Sequence, residues 1–183
     1  MVITMNKQIL IAGFGGQGIL FSGKFLAYEG LIDGKEVSWL PSYGPEMRGG
    51  TANCSIIISD DKIGSPIVDR PDILIAMNAP SVDKYENAVA AGGEIYIDSS
   101  LVSKKVERTD ADVYYVPATR LASENNLTGL ANMIIIGSVI RHSGIIPYEN
   151  IEKAMKKVVS AKKQELFDLN MKAVEIGYNY TEE

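Results

Sequence analysis

Apolar and polar positions along this chain follow two periods. Short runs rich in Ile, Val and Tyr recur at residues 9–12, 36–40, 51–59, 72–77, 94–97 and 113–116. Bounded by Gly, Pro, Asp and Asn, such runs predict strands. Between and after them the apolar residues fall at helical spacing. Residues 16–29 predict a helix with Ile19, Leu20, Gly23, Phe25, Leu26 and Ala27 near one side and Gly30 as its stop. Residues 81–91, closed by Gly92 and Gly93, predict another. Beyond Pro117 the pattern is helical over about 118–125, 129–142, 147–159 and 161–176.

Alternating strands and helices imply a sheet covered on both faces. The second and third strands break the alternation, because only the loop 41–50 separates them. A parallel return needs a crossover of a dozen residues or more, so the third strand is expected to run antiparallel. The fold class is therefore α/β: a three-layer αβα sandwich with a mixed, mostly parallel, Rossmann-like sheet. One domain over 1–183 is expected, with C-terminal helices about 147–176. In that arrangement the loops after the first and second strands leave the same edge, where open α/β sheets bind ligands. Asn78 to Ser81 and Asp98 to Ser100 also follow strands and belong to that edge.

The strongest chemical signal is the turn Gly13-Phe14-Gly15-Gly16-Gln17-Gly18, between the first strand and its helix. Glycines let backbone approach a ligand closely, and the first N–H groups of a helix carry positive partial charge. The spacing fits dinucleotide sites. Ordinary NAD binding also needs a carboxylate at the end of the second strand. That strand ends Ser38-Trp39-Leu40-Pro41-Ser42, so the turn suits a phosphate-bearing ligand of another kind or serves packing alone. The second signal is the loop with Ser42, Tyr43, Glu46, Met47 and Arg48. Arg48 is suited to a phosphate or carboxylate through a bidentate pair, the alternative being an ion pair with Glu46. Tyr43 either stacks on a planar group or covers the sheet edge.

Composition narrows the chemistry. A net charge of −5 disfavours nonspecific nucleic-acid binding. The lone Cys54 excludes an internal disulfide and a cluster held by this chain's thiolates, and the lone His142 disfavours a His-rich metal site. Cys54 and the run Met133 to Ile136 read as core. Arg120 and Asn132 are secondary polar candidates, and no catalytic constellation emerges. No run approaches membrane-spanning length and no secretory signal is expected at the start, so a cytoplasmic protein is expected.

Together the 13–18 turn and Ser42-Tyr43-Gly44-Pro45-Glu46-Met47-Arg48-Gly49-Gly50 resemble the signature of the gamma subunit of 2-oxoacid:ferredoxin oxidoreductases. The same unit occurs fused within single-chain pyruvate:ferredoxin oxidoreductases. Pro71-Asp72, Met77-Asn78 with Pro80-Ser81, and Pro117-Ala118-Thr119 with Asn132-Met133 extend the resemblance over about 8–176. The Ser-Tyr-Gly-Pro-Glu form is nearest the 2-oxoglutarate and branched-chain members.

The resemblance implies a subunit that is not catalytic alone. The whole enzyme decarboxylates a 2-oxoacid, reduces ferredoxin and forms an acyl-CoA, or runs in reverse. Thiamine diphosphate and magnesium belong to alpha and beta partners, and the iron–sulfur clusters to those chains or a delta chain. The gamma unit packs over the active-site region and is implicated in admitting coenzyme A. Gly13, Gly15, Gly16, Gln17, Gly18, Ser42, Tyr43 and Arg48 are then expected to form one edge of the composite site, facing an anion that is either a coenzyme A phosphate at a shared site or a carboxylate of a partner chain. Competing readings are a stand-alone nucleotide-binding enzyme and a regulatory module. Self-association of the isolated chain stays open.

Overall fold

The computed structural model describes residues 5–43 and 51–181, with Tyr43 described through its backbone. Six strands form one sheet in the order β2-β3-β1-β4-β5-β6. They are β1 (Asn6–Phe14), β2 (Glu36–Tyr43), β3 (Thr51–Ser59), β4 (Ile73–Ala76), β5 (Glu94–Asp98) and β6 (Asp112–Val116). As the short connection predicts, β3 is antiparallel to both β1 and β2, while β1, β4, β5 and β6 pair in parallel. β1 and β4 sit side by side, and the chain leaves them in opposite directions along the sheet. That is the topological switch point.

Alternation along the strands sorts the core. Ile9, Ile11, Ile56, Ile58, Ile73, Ile75 and Tyr96 face one side, and Leu10, Leu74, Ala76, Ile95 and Ile97 the other. The first side carries α1 (Ile19–Ile32), α3 (Ala118–Glu124), α4 (Ala131–Ser143), α5 (Ile151–Val158) and α6 (Gln164–Asn179). Among the described residues the second carries one α-helix, α2 (Ala79–Tyr85), through Val82. The expected cover on both faces exists but is lopsided. α4 is the spine of the core, with every residue from Asn132 to Ile140 buried. A Cβ on Gly137 would strike the Val174 carbonyl of α6, so the backbones of α4 and α6 touch there.

Several expected boundaries move. Gly30 does not stop α1. It is buried within it, where a Cβ would lie 2.8 Å from Val37 and 3.1 Å from Ile58, so it lets the helix settle on β2 and β3. The stop is Gly34, at φ 75°. Gly34 N–H donates to Leu31 and Lys35 N–H to Gly30, the two bonds of a Schellman end. β2 runs on through Pro41 to Tyr43, taking the start of the expected loop into the sheet. Proline is tolerated there because β2 is an edge strand. The helix expected over 81–91 ends at Tyr85, followed by a single 3₁₀ turn. The helix expected from Gly129 starts at Ala131, because Gly129 takes φ 90°. The segment expected over 161–176 is helical as α6, three residues later at each end.

Candidate anion site at the carboxyl rim of the sheet

Register fixes the rim. Tyr43 of β2 pairs with Ala52 of β3, and Ala52 pairs with Gly13 of β1. The 42–50 run therefore leaves and re-enters the sheet beside the glycine turn. With strands about 4.8 Å apart, the ends of β1 and β2 stand roughly 10 Å from each other. Arg48, Glu46 and Met47 lie outside the described residues, as do the glycines of that loop. Ser42 is exposed on the β2 edge.

The turn itself is tied from within. Gln17 N–H donates to the Phe14 carbonyl at 3.1 Å. Its side-chain Oε1 accepts from Phe14 N–H at 2.7 Å, and its Nε2 donates to the Met77 carbonyl at 2.9 Å. Gln17 thus bridges the carboxyl ends of β1 and β4 across the switch point. Asn78 Nδ2 lies 3.4 Å from the same Oε1. Gly13 is packed beneath this bridge, where a Cβ would come 2.6 Å from Gln17 and 2.7 Å from Ile19. Its contribution is the close approach of turn and strand. Gly16 and Gly18 take φ 99° and 74°, conformations costly for other residues. Among the described residues, the N–H groups of Gly15, Gly16 and Gly18 have no hydrogen-bond partner.

Beyond the turn, α1 begins at Gly18 with no side-chain cap and no acidic residue in its first turn. α4, with Leu130 at its N-cap, starts in the same state. Asn132 ties the two starts together. Its Nδ2 donates to the Gly18 carbonyl at 3.2 Å and to Ser22 Oγ at 2.9 Å. Asn132 was legible as a polar candidate in the sequence, and its amide serves backbone. Its Oδ1 is buried without a partner among the described residues. A cleft of about 360 Å³ opens between these helix starts. Gly16, Gln17, Thr119, Ser123, Thr128 and Asn132 contribute to its wall, with Met77 at its side. N–H groups without a partner among the described residues, hydroxyls and two uncapped helix starts beside one cleft suit an anion.

The other helix starts at this rim are closed. Asn78 Oδ1 accepts from Ser81 N–H at 2.9 Å and caps α2. Asp98, fully buried, accepts from Thr119 N–H at 3.3 Å, from Thr119 Oγ1 at 2.5 Å and from Ser100 N–H at 3.1 Å. Ser100 Oγ accepts from Arg120 N–H at 3.0 Å. Asp98 thus serves α3 as a structural acid. Cys54 is buried under Gly23 beside Trp39, and burial pushes its thiol up to about 12, so it is inert core as its strand position suggests. His142 closes α4, its ring 4.3 Å from that of Tyr114 and its Nδ1 2.9 Å from the Ser138 carbonyl. The Thr119–Ser123–Thr128 wall was not singled out in the sequence, because only tertiary packing brings it to the glycine turn.

Comparison with known proteins decides the family. The profile of pyruvate ferredoxin/flavodoxin oxidoreductase matches residues 8–180. This chain belongs to that family. The 2-oxoglutarate synthase subunit KorC of Methanocaldococcus jannaschii is 38% identical over 184 residues, 99% of this chain and 97% of the relative. The keto/oxoacid ferredoxin oxidoreductase gamma subunit of Geobacter sulfurreducens superposes with a TM-score of 0.79 at 29% identity, over 94% of this chain and 96% of that one. The likeness read from the glycine turn and the 42–50 run is borne out, and the fold is that of the gamma subunits. Other relatives are longer: this chain spans 36% of the ketoisovalerate oxidoreductase subunit VorA of Methanothermobacter thermautotrophicus, which it matches at 38% identity over 96% of its own length. It also spans 30% of a Magnetococcus marinus 2-oxoglutarate:ferredoxin oxidoreductase chain, with a TM-score of 0.85 at 23% identity over 94% of this chain. That structure holds 2-oxoglutarate, coenzyme A and succinyl-CoA.

Proposed function

We propose that this chain is the gamma subunit of a multi-subunit 2-oxoacid:ferredoxin oxidoreductase and that its carboxyl rim holds a phosphate of coenzyme A. The carrying observation is the cleft between two uncapped helix starts, beside the glycine turn, on a chain that matches KorC over nearly its whole length. In the complex, a 2-oxoacid and coenzyme A give an acyl-CoA and carbon dioxide, with two electrons passing to ferredoxin, or the reverse. Alpha and beta partners, with a delta chain where present, carry thiamine diphosphate, magnesium and the iron–sulfur clusters. Among the described residues no three His, Cys, Asp or Glu side chains gather as a metal site. Here the chain's own work is electrostatic: amides of Gly15, Gly16 and Gly18 and the starts of α1 and α4 fix an anion, and Arg48 adds a full charge from the neighbouring loop.

Exposed Phe14 and Leu40 lie on the sheet face that α2 leaves bare at β2, a surface suited to a partner chain. No described helix is long and apolar enough to cross a membrane. A stand-alone NAD enzyme is disfavoured by β3, which separates β1 from β2 and carries the usual ribose-binding strand end away from the turn.

Affinity purification from native extract tests the assignment, because it should bring down thiamine diphosphate-binding chains. In the purified complex, 2-oxoacid-dependent ferredoxin reduction should require coenzyme A. Arg48→Ala should raise the KM for coenzyme A or weaken assembly. Unchanged assembly together with unchanged coenzyme A kinetics removes Arg48 from the site.

A further inference from the structure

A second concavity lies on the same rim, past the start of α3. Its volume is about 400 Å³, and Ser99, Ser100, Lys105, Arg120, Tyr115 and Tyr180 line it. Its charge stands out in a chain of net charge −5. Lys104, next to Lys105, is neutralised by Asp83 at 2.8 Å and Glu86 at 2.6 Å, and Arg108 by Asp110 at 2.7 Å. No carboxylate pairs with Lys105 among the described residues. Its Nζ stands 3.7 Å from the centre of the Tyr115 ring, which holds the ammonium in place without cancelling its charge. Among the described residues Arg120 has only a long ion-pair contact, to Glu124 at 3.8 Å, on an exposed turn of α3. The nearest buried carboxylate, Asp98, is occupied by Thr119 and Ser100. Two cations and two serines, walled by tyrosines, are left facing a common space.

We propose that this notch is a second phosphate-binding position, taking a phosphomonoester dianion through Lys105, Arg120 and the Ser99–Ser100 hydroxyls. Ammonium and guanidinium together match the charge of such a group, and serine hydroxyls supply the remaining donors. A pyrophosphate or a carboxylate at the glycine turn would not reach it. Thr119 borders the first cleft and Arg120 the second. By strand spacing from β4 to β6, the two lie roughly 10 Å apart. That suits one ligand carrying a diphosphate and a separate phosphomonoester. Coenzyme A has both, the second on its ribose 3′ carbon. This assignment of the source rests on the function proposed above. The alternative source is a free phosphorylated metabolite.

The full chain is titrated calorimetrically with coenzyme A, dephospho-CoA and inorganic phosphate, as wild type and as Lys105→Gln/Arg120→Gln. Both side chains are exposed, so the variant should fold. Wild type should bind coenzyme A about tenfold more tightly than dephospho-CoA, and the double variant should erase that difference while leaving dephospho-CoA unchanged. Equal binding of the two coenzymes, with inorganic phosphate binding wild type and not the variant, supports the notch with a free metabolite as source. Phosphate binding of that kind with no coenzyme binding supports the notch and removes coenzyme A from the rim. Equal coenzyme binding with no variant-sensitive phosphate binding overturns the notch and leaves the first cleft standing. Binding of none of the three overturns the notch as well.

Discussion

Four helices begin at one rim of this sheet, and they begin in two different ways. α2 and α3 are closed from within, by Asn78 and by Asp98, with Ser100 taking a further N–H. α1 and α4 are left open, each without a side-chain cap or an early acid, and they border the same cleft. Capping a helix start adds on the order of 1 kcal/mol, so leaving two of them bare at one place forgoes stability. Under the proposed function, the difference separates scaffold from site. Where the chain supplies its own acceptor, the turn is a joint. Where it withholds one, the N–H groups remain for an anion from outside.

Gly18 offers the sharpest break of this contrast. It combines φ 74° with a Cβ position only 2.6 Å from Asn132 Cγ. Gly18→Ala should destabilise the fold by about 3 kcal/mol, strain and crowding together, and should pry apart the starts of α1 and α4. Gly16 shares the positive φ, but a Cβ there meets nothing within 4 Å. Gly16→Ala should therefore cost only about 1 kcal/mol. Thermal unfolding ranks the two, and equal losses would mean that Asn132 yields freely and does not hold the helix starts together.

A closed start should respond in the opposite manner. Asp98→Ala strips Thr119 and Ser100 of their acceptor inside the fold, at a cost of about 2 kcal/mol. It should touch coenzyme A affinity only indirectly, through the loosened Thr119 and Ser100, and by much less than it moves stability. Denaturant titration and calorimetry read the two quantities separately. A large loss of affinity would make Asp98 part of the site and remove the distinction between the two kinds of helix start.

How much of this could be read from residues alone follows the range of the forces involved. The limits of β3 and its reversed direction were legible, because a dense apolar run and a short connection are local facts. The glycine turn was legible for the same reason. Gly30 and Gly34 were not separable, since both punctuate the end of α1 in sequence, and only the packing of Val37 and Ile58 shows which is buried. Gln17 looked like a ligand contact and is largely spent bridging β1 to β4, a contact some sixty residues away in sequence. The cleft wall from Thr119 to Thr128 carries no local signal, because α3 and α4 reach the turn only after the whole sheet has formed.

The far end of α1 supplies a test that is spread over several pH units and does not touch the rim. Glu29 is fully buried, and both of its oxygens lack a partner among the described residues. Burial, reinforced by Asp33 one turn on, pushes its carboxyl up to about 8. Below the unfolded chain's value of about 4.3, both states hold the proton and Glu29 costs nothing extra. From there to about 8 the unfolded chain ionises and the folded protein does not, so stability falls as pH rises, by at most about 1.4 kcal/mol per unit. Asp60 and Asp110 are held low by hydrogen bonds from Lys35 and Arg108, so their contribution is lost in acid, below this window. Glu29→Met should flatten the decline between pH 5 and 8 (denaturation midpoints across that range would show it) and leave ligand binding at the opposite end of the helix untouched. A decline that persists unchanged in the variant assigns the pH dependence to other groups. A change in coenzyme A affinity would instead show that α1 couples its buried acid to its open start.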